Sequence, residues 1–341
     1  MVDKEQNPQP LSDGNTPLKS PEPGKPVELR VGASIKERRI DKYLHGRFSN
    51  YSRAMIQQIL KAKAVTVNGQ IVKQSYQLTA ADRIVFTLPE IPSKEIIGEH
   101  IPINIIYEDD DLLIINKRAN MIVHPARGNT NGTLVNALVW HCEHLSSGLG
   151  ERRPGIVHRL DKNTTGVLIV TKNDTAQWKV ATQFQERLTK KTYLAVVHGT
   201  PELTSDRICA PIGTDTKKRE KQAVRADGKE AVTIYHTLEE FKGFSLLEIN
   251  ILTGRTHQIR VHMTHLKHPI VADDMYSGKL VYPWQLENAE PRTEEPIIAR
   301  PALHAASIEF KHPTTEKMVR FQAPLPDDMQ NLLEQLRIHR K

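Results

Sequence analysis

Gly155-Ile156-Val157-His158-Arg159-Leu160-Asp161-Lys162-Asn163-Thr164-Thr165-Gly166-Val167 is the most chemically loaded stretch of the chain. A short apolar opening gives way to charged and small residues, and residues 167–171 then read as a strand. A loop held this way by a rigid element is the usual position for a reacting group. Asp161 lies between Arg159 and Lys162. Flanking positive charge suits a carboxylate that serves as a nucleophile or electrostatic stabiliser. A loop aspartate by itself is more often a turn or salt-bridge residue, so the surrounding segments decide the reading.

Around this loop the chain is strand-rich. Residues 103–107 and 112–116 read as strands flanking an acidic turn at 109–111, and residues 193–197 and 245–251 as two more. Asp174 is placed to cap a helix whose stripe is Val180, Phe184 and Leu188, and residues 329–336 read as a closing helix. Strands with few regular helices between them predict an α+β domain around a mixed, largely antiparallel sheet, spanning residues 101–341.

Residues 29–88 read as a separate small α+β module. Ile40, Leu44 and Phe48 recur every four residues, and Ser52 can cap a second helix with Met55, Ile56, Ile59 and Leu60 on one face. Val65-Thr66-Val67-Asn68-Gly69-Gln70-Ile71-Val72 is a hairpin signal, because a two-residue turn of this kind needs positive φ at both positions. Arg38, Arg39, Lys42, Arg53, Lys61 and Lys63 are placed for one phosphate-facing surface. Residues 89–100 read as a linker. Residues 1–28 read as a disordered tail, with six of the 21 prolines in its first 26 residues.

Composition narrows the function classes. The 341 residues suit two domains, and 38% apolar content supplies a sizeable core. The longest apolar runs are four to five residues, far below the roughly 20 needed to span a membrane. The formal charge is +7. Its distribution is uneven: net −2 over residues 1–28, +8 over 29–88 and +1 over the remainder. The excess therefore points to a polyanion bound by the small module. Two cysteines 67 residues apart suit a reducing compartment, and no targeting segment is recognisable, so a cytoplasmic location is expected.

Several chemistries lack their motifs: no phosphate-binding P-loop, no dinucleotide-binding glycine pattern, no serine-nucleophile elbow, no zinc-protease helix. His141, Cys142 and His144 form one histidine cluster, and His257, His262, His265 and His268 another. Residues 256–262 alternate like a strand and carry Arg255 and Arg260, which would repel a cation. No metal and no cofactor is expected.

Five ordered segments then carry a family resemblance. Gly155 to Gly166 resembles the H-R-L-D-x-x-T-S-G signature of the RluA-type pseudouridine synthases. Thr253-Gly254-Arg255-Thr256-His257-Gln258-Ile259-Arg260-Val261-His262 matches their T-G-R-T-H-Q-I-R-V-H segment. Asn116-Lys117 with Val123-His124-Pro125 is similar to their N-K-P-x-G-x-x-V-H-P loop, and Lys191-Thr192-Tyr193-Leu194-Ala195 to their K-x-Y-x-A strand. His304-Ala305 and His312-Pro313 echo the C-terminal segment. Tyr51-Ser52-Arg53 and Val65 to Gly69 resemble the RNA-binding domain of ribosomal protein S-four. Arg118, Asn120, Thr165 and Ala272 depart from the family pattern.

The resemblance, closest to the RluD subgroup, implies isomerisation of uridine to pseudouridine in large-subunit ribosomal RNA or its precursor. It implies Asp161 as the catalytic carboxylate, either attacking C1′ or removing a 2′ proton. It further implies Arg255 paired with Asp161, Tyr193 stacked on the uracil as proton relay, and Ile259 against the ring. Arg159, Lys162, Lys117 and His124 are candidate RNA contacts near the site. No nucleotide cofactor or membrane is implied, and a monomer is expected. Two readings from other classes stand beside it: a non-catalytic RNA-binding or ribosome-assembly factor on the same fold, and a metal-dependent hydrolase using the histidines.

Overall fold

A computed structural model describes residues 26–33, 38–48, 53–87, 96–125, 129–146 and 153–341. The tail before residue 26, the Ser52 cap and most of the expected linker lie outside the described residues. Two compact units divide between Glu95 and Ile96.

The first unit contains β1 (Pro26–Arg30), α1 (Ile40–Arg47), α2 (Arg53–Lys61), β2 (Val65–Val67), β3 (Gln70–Ile71) and β4 (Arg83–Thr87). The strands form an antiparallel sheet in the order β1-β4-β2-β3. β1 begins at Pro26, inside the segment expected as tail, because Val27 and Leu29 pack inward and pair opposite Phe86 and Ile84. Asn68 and Gly69 take φ of 51° and 78°, as the hairpin requires. Ile40, Leu44 and Phe48 share one core with Ile56, Ile59 and Leu60. Each such buried side chain contributes about 1.5–3 kcal/mol.

The second unit runs β5 (Asn104–Glu108), β6 (Leu112–Lys117), α3 (Leu134–His141), β7 (Thr165–Thr171), α4 (Asp174–Gln185), β8 (Lys190–His198), β9 (Ser205–Cys209), β10 (Ile212–Thr214), β11 (Gln222–Val224), β12 (Val232–Phe241), β13 (Phe244–Ile251), α5 (Gln258–His265), α6 (Pro283–Glu287), β14 (Leu303–Lys311), β15 (Met318–Gln322) and α7 (Asp327–His339). Its main sheet has the order β5-β6-β7-β14-β8-β13-β12-β9, with β15 also on β14. Only β7 and β14 are paired in parallel among the described strands, so the sheet is mixed and largely antiparallel, as expected. The 109–111 turn is tied by the Asp109 carboxylate, which accepts from the amides of Asp111 and Leu112.

Two local expectations change. Asn173, not Asp174, caps α4, accepting from the Ala176 amide at 2.8 Å, and Leu188 lies beyond the helix and is exposed. Residues 258–265 are helix, not strand. Seven alternating residues cannot separate the two periods. The helix wins because Ile259 and Met263, four apart, both face the core, while the Gln258 side-chain Nε2 donates to Val232 O and Thr233 Oγ1.

Candidate active site

The centre of the main sheet is where β7, β14 and β8 lie side by side. Asp161 sits on the loop that enters β7. Tyr193 comes from β8, Leu303 begins β14, and Ile259 comes from α5; all line one pocket of about 100 Å³ with Asp161. The close approach of β7 to β14 requires Gly166, whose φ is +113° and where a Cβ would stand 2.1 Å from Ala305 O. Next to it Thr165 Oγ1 bonds His304 Nδ1 at 2.8 Å, so the hydroxyl that replaces the family's serine is in use.

The Asp161 carboxylate, 20% exposed, meets Arg260 Nη1 at 3.2 Å. Arg255 does not make the pairing expected of it. Its Nε donates to Glu230 O at 2.9 Å, and its side chain stands on the pocket wall. The helix explains the exchange, since the first turn of α5 turns Arg260 inward. The other guanidinium nitrogens of Arg260 grip the fully buried Asp273 at 2.7 and 2.8 Å. Burial opposes the Arg260 charge, but the hydrogen bonds and charge of Asp273, then the charge of Asp161, outweigh it and raise its pKa. Its guanidinium also lies 4.9 Å from the Tyr276 ring centroid.

His257 caps α5 in a left-handed conformation, φ 57°. Its Nε2 is 4.0 Å from the Asp161 carboxylate and its Nδ1 bonds the Tyr276 hydroxyl at 2.8 Å. Burial lowers its pKa despite the nearby Asp161 charge. Tyr193 is 7% exposed, and burial together with the Asp161 charge pushes its hydroxyl pKa upward. A strand over residues 256–262 places His257 and Arg260 on opposite faces, whereas the N-cap and first turn of a helix bring residues three apart to one side; Asp273 has no local signal.

The loop is held from behind. His158 Nε2 accepts the Ile169 amide at 3.0 Å, and its ring stacks on Phe184 at 4.7 Å. Lys117 was expected to contact RNA, but it is 1% exposed and its ammonium donates to the carbonyls of Arg118, Met121 and Lys162. Burial pushes it down to about 7, while three acceptors favour the charged form. His124 is half-buried, and burial with Arg153 and Arg159 pushes it down to about 4. Arg159 and Lys162 are exposed beside the pocket.

In the first unit Arg38 and Lys61 are exposed. Arg39 instead turns to the buried Asp41, bonding both carboxylate oxygens at 3.0 and 3.2 Å. The side chain of Arg53 lies outside the described residues. Both ring nitrogens of His262 are taken by Thr233 Oγ1 and Ala210 O. Among the described residues, a candidate donor group is Glu108, His141 and Cys142, where Lys172 already occupies the carboxylate at 3.1 Å. No helix of the described residues is long and apolar enough to cross a membrane.

Residues 111–265 match the family described as RNA pseudouridylate synthase, and residues 38–84 the S4 domain. The uncharacterized RNA pseudouridine synthase YlyB of Bacillus subtilis is 41% identical over 311 residues, 91% of this chain and 98% of the relative. A ribosomal large subunit pseudouridine synthase D of Xanthomonas campestris is 39% identical, with 90% and 91% of the two chains covered. Among solved structures, human RNA Pseudouridylate Synthase Domain Containing 4 aligns at 26% identity with a TM-score of 0.54, over 69% of this chain and 93% of that one.

Proposed function

The chain belongs to the RNA pseudouridine synthases, and we propose that it isomerises uridines in large-subunit ribosomal RNA, or its precursor, with Asp161 as the catalytic carboxylate. The observation that carries the assignment is the Asp161 carboxylate facing Arg260 at 3.2 Å on the wall of a pocket whose other sides are Tyr193, Ile259 and Leu303. The ribosomal substrate is supported by relatives named for large-subunit modification.

The chemistry breaks the N1–C1′ bond of uridine and forms C5–C1′. The C5 proton leaves and N1 gains one, so no oxidant, reductant or group donor enters the balance. Asp161 acts on the ribose, at C1′ or at the 2′ proton. Arg260, rather than Arg255, orients the carboxylate by a charge-assisted hydrogen bond. Tyr193 and Ile259 hold the uracil between apolar faces while it turns. The Tyr193 hydroxyl, kept protonated by burial, relays the C5 proton by accepting it on oxygen while handing its own proton on toward N1.

The target base must leave its stack to enter this pocket. Extrusion costs a few kcal/mol and least in unpaired loops, so a loop uridine is the preferred target. Arg159 and Lys162 contact RNA at the pocket, and Arg38, Arg53 and Lys61 contact phosphates through the small domain. Arg255 is a contact at the pocket wall. The protein acts as a monomer in the cytoplasm.

The decisive experiment uses ribosomal RNA tritiated at uracil C5. The Asp161→Asn variant should release no tritium and yield no pseudouridine on mapping, while binding RNA nearly as tightly as the parent. Full activity in that variant would end the assignment. Absence of activity in the parent on several structured RNAs would favour the non-catalytic factor.

A further inference from the structure

We infer that Arg300 and Asp328 form a positioning pair through which the closing helix α7 sets the place of Asp161. The inference rests on the Asp161 reading. Both residues lie beyond the 111–265 stretch that matches the family description.

Arg300 is 8% exposed and lies three residues before β14. Its Nε and Nη2 each bond a carboxylate oxygen of Asp328 at 2.7 Å. Its Nη1 is ringed by the carbonyls of Pro301 at 3.1 Å, Leu303 at 3.3 Å and Asn163 at 3.4 Å. Asn163 is two residues after Asp161 on the same loop. Leu303 is a wall of the pocket. One guanidinium thus ties the catalytic loop to the start of β14, and a planar fork gripped on one edge is fixed in direction.

The grip on that edge comes from α7. Asp328 lies in its first turn and also accepts from the Met329 amide at 2.8 Å. The helix is itself fixed, because Met329, Leu332, Leu333 and Leu336 belong to the core that includes Tyr193, Ile259 and Leu303. Lys117 holds the neighbouring carbonyl of Lys162 from the β6 side. The consecutive carbonyls of Lys162 and Asn163, just after Asp161, are therefore each held by a cation, and the Arg300 cation is itself anchored by a carboxylate from another element.

Without Asp328 the Arg300 fork is free to swing from Asn163, and the loop gains play where the reaction tolerates little. A misplacement of about 1 Å costs up to about 100-fold in rate. Asp328 is 37% exposed at its side chain, while its removal leaves the 8% exposed Arg300 guanidinium bonded to backbone carbonyls alone, so each variant is assayed at a temperature where it remains folded.

The test is single-turnover tritium release from C5-labelled ribosomal RNA at saturating enzyme, with the RNA dissociation constant measured in parallel. Asp328→Ala should lower the rate about tenfold with unchanged RNA affinity, and Asp328→Glu should restore most of it. Glu334→Gly serves as the control for helix stability, since Glu334 is exposed on α7 and a glycine in the helix interior weakens the helix without touching the ion pair or the core; at a temperature where it remains folded its rate should stay near the parent's. A parental rate in Asp328→Ala, or an equal loss in Glu334→Gly, overturns the inference. An inactive Asp161→Asn beside a fully active Asp328→Ala would remove the positioning pair and leave the Asp161 assignment standing.

Discussion

Arg260 Nη1 stands 3.2 Å from the Asp161 carboxylate, and the same guanidinium is locked in place by Asp273 at 2.7 and 2.8 Å. The charge facing the carboxylate is therefore held by a second, fully buried carboxylate rather than by solvent. Such a preorganised arrangement costs little reorganisation during reaction.

Replacing Arg260 by Lys keeps the charge and loses the fork. A point charge cannot grip Asp273 and reach Asp161 together. Tritium release should fall about 100-fold with RNA affinity little changed. Arg255→Ala should lose less than about tenfold, because Arg255 bonds a backbone carbonyl away from the carboxylate. The reverse order of effects in the same assay would restore Arg255 as the partner.

Gly166→Ala should be among the most damaging single changes. The added Cβ would meet Ala305 O at 2.1 Å, in a backbone conformation with φ +113° that side chains rarely adopt. Both strain and strand separation follow, for a loss of about 3 kcal/mol or more. Urea unfolding monitors this directly, and a loss below 1 kcal/mol, on the scale of ordinary surface changes, would contradict the close approach.

Acid stability should carry a signature of His158. Burial pushes its ring down to about 3 from an ordinary 6.5, and a neutral Nε2 is what accepts the Ile169 amide. Between these values the unfolded chain binds the proton and the folded chain does not. Stability therefore rises with pH through this window and is lost as pH falls below about 6.5. His158→Gln should reduce the slope near pH 4–5.5 by about one proton, or about 1.4 kcal/mol per pH unit. Denaturation curves at a series of pH values read this slope. An unchanged slope would place the ring in contact with water.

Salt dependence should separate the basic residues of the small domain. Arg38 and Lys61 are exposed, so removing both should lower the slope of log affinity against log salt by about two. Arg39 is bonded to buried Asp41. Arg39→Ala should lower the melting temperature and change the slope less than either neighbour. Filter binding across a salt series, with thermal melts alongside, decides both points.

Local order made the small domain and most strands legible. The four-residue recurrence of Ile40, Leu44 and Phe48 and the Asn68-Gly69 turn depend on short-range sterics, which neighbouring residues determine by themselves. Asp161, Tyr193 and Ile259 were legible through motif resemblance, and they do line one pocket. Which arginine faces Asp161 was not legible. Residues 256–262 satisfy both a strand and a helix pattern, and the two place Arg255 and Arg260 on different sides. Packing of Ile259 and Met263 into the core selected the helix, and with it Arg260. Lys117 likewise read as a surface contact until the fold brought the carbonyl of Lys162, 45 residues away, to its ammonium. The sequence alone determined the loop, its carboxylate and most of the strands around it. Only the tertiary structure decided which charges meet it, because pairings between residues 99 or 137 positions apart depend on long-range packing that no local pattern encodes.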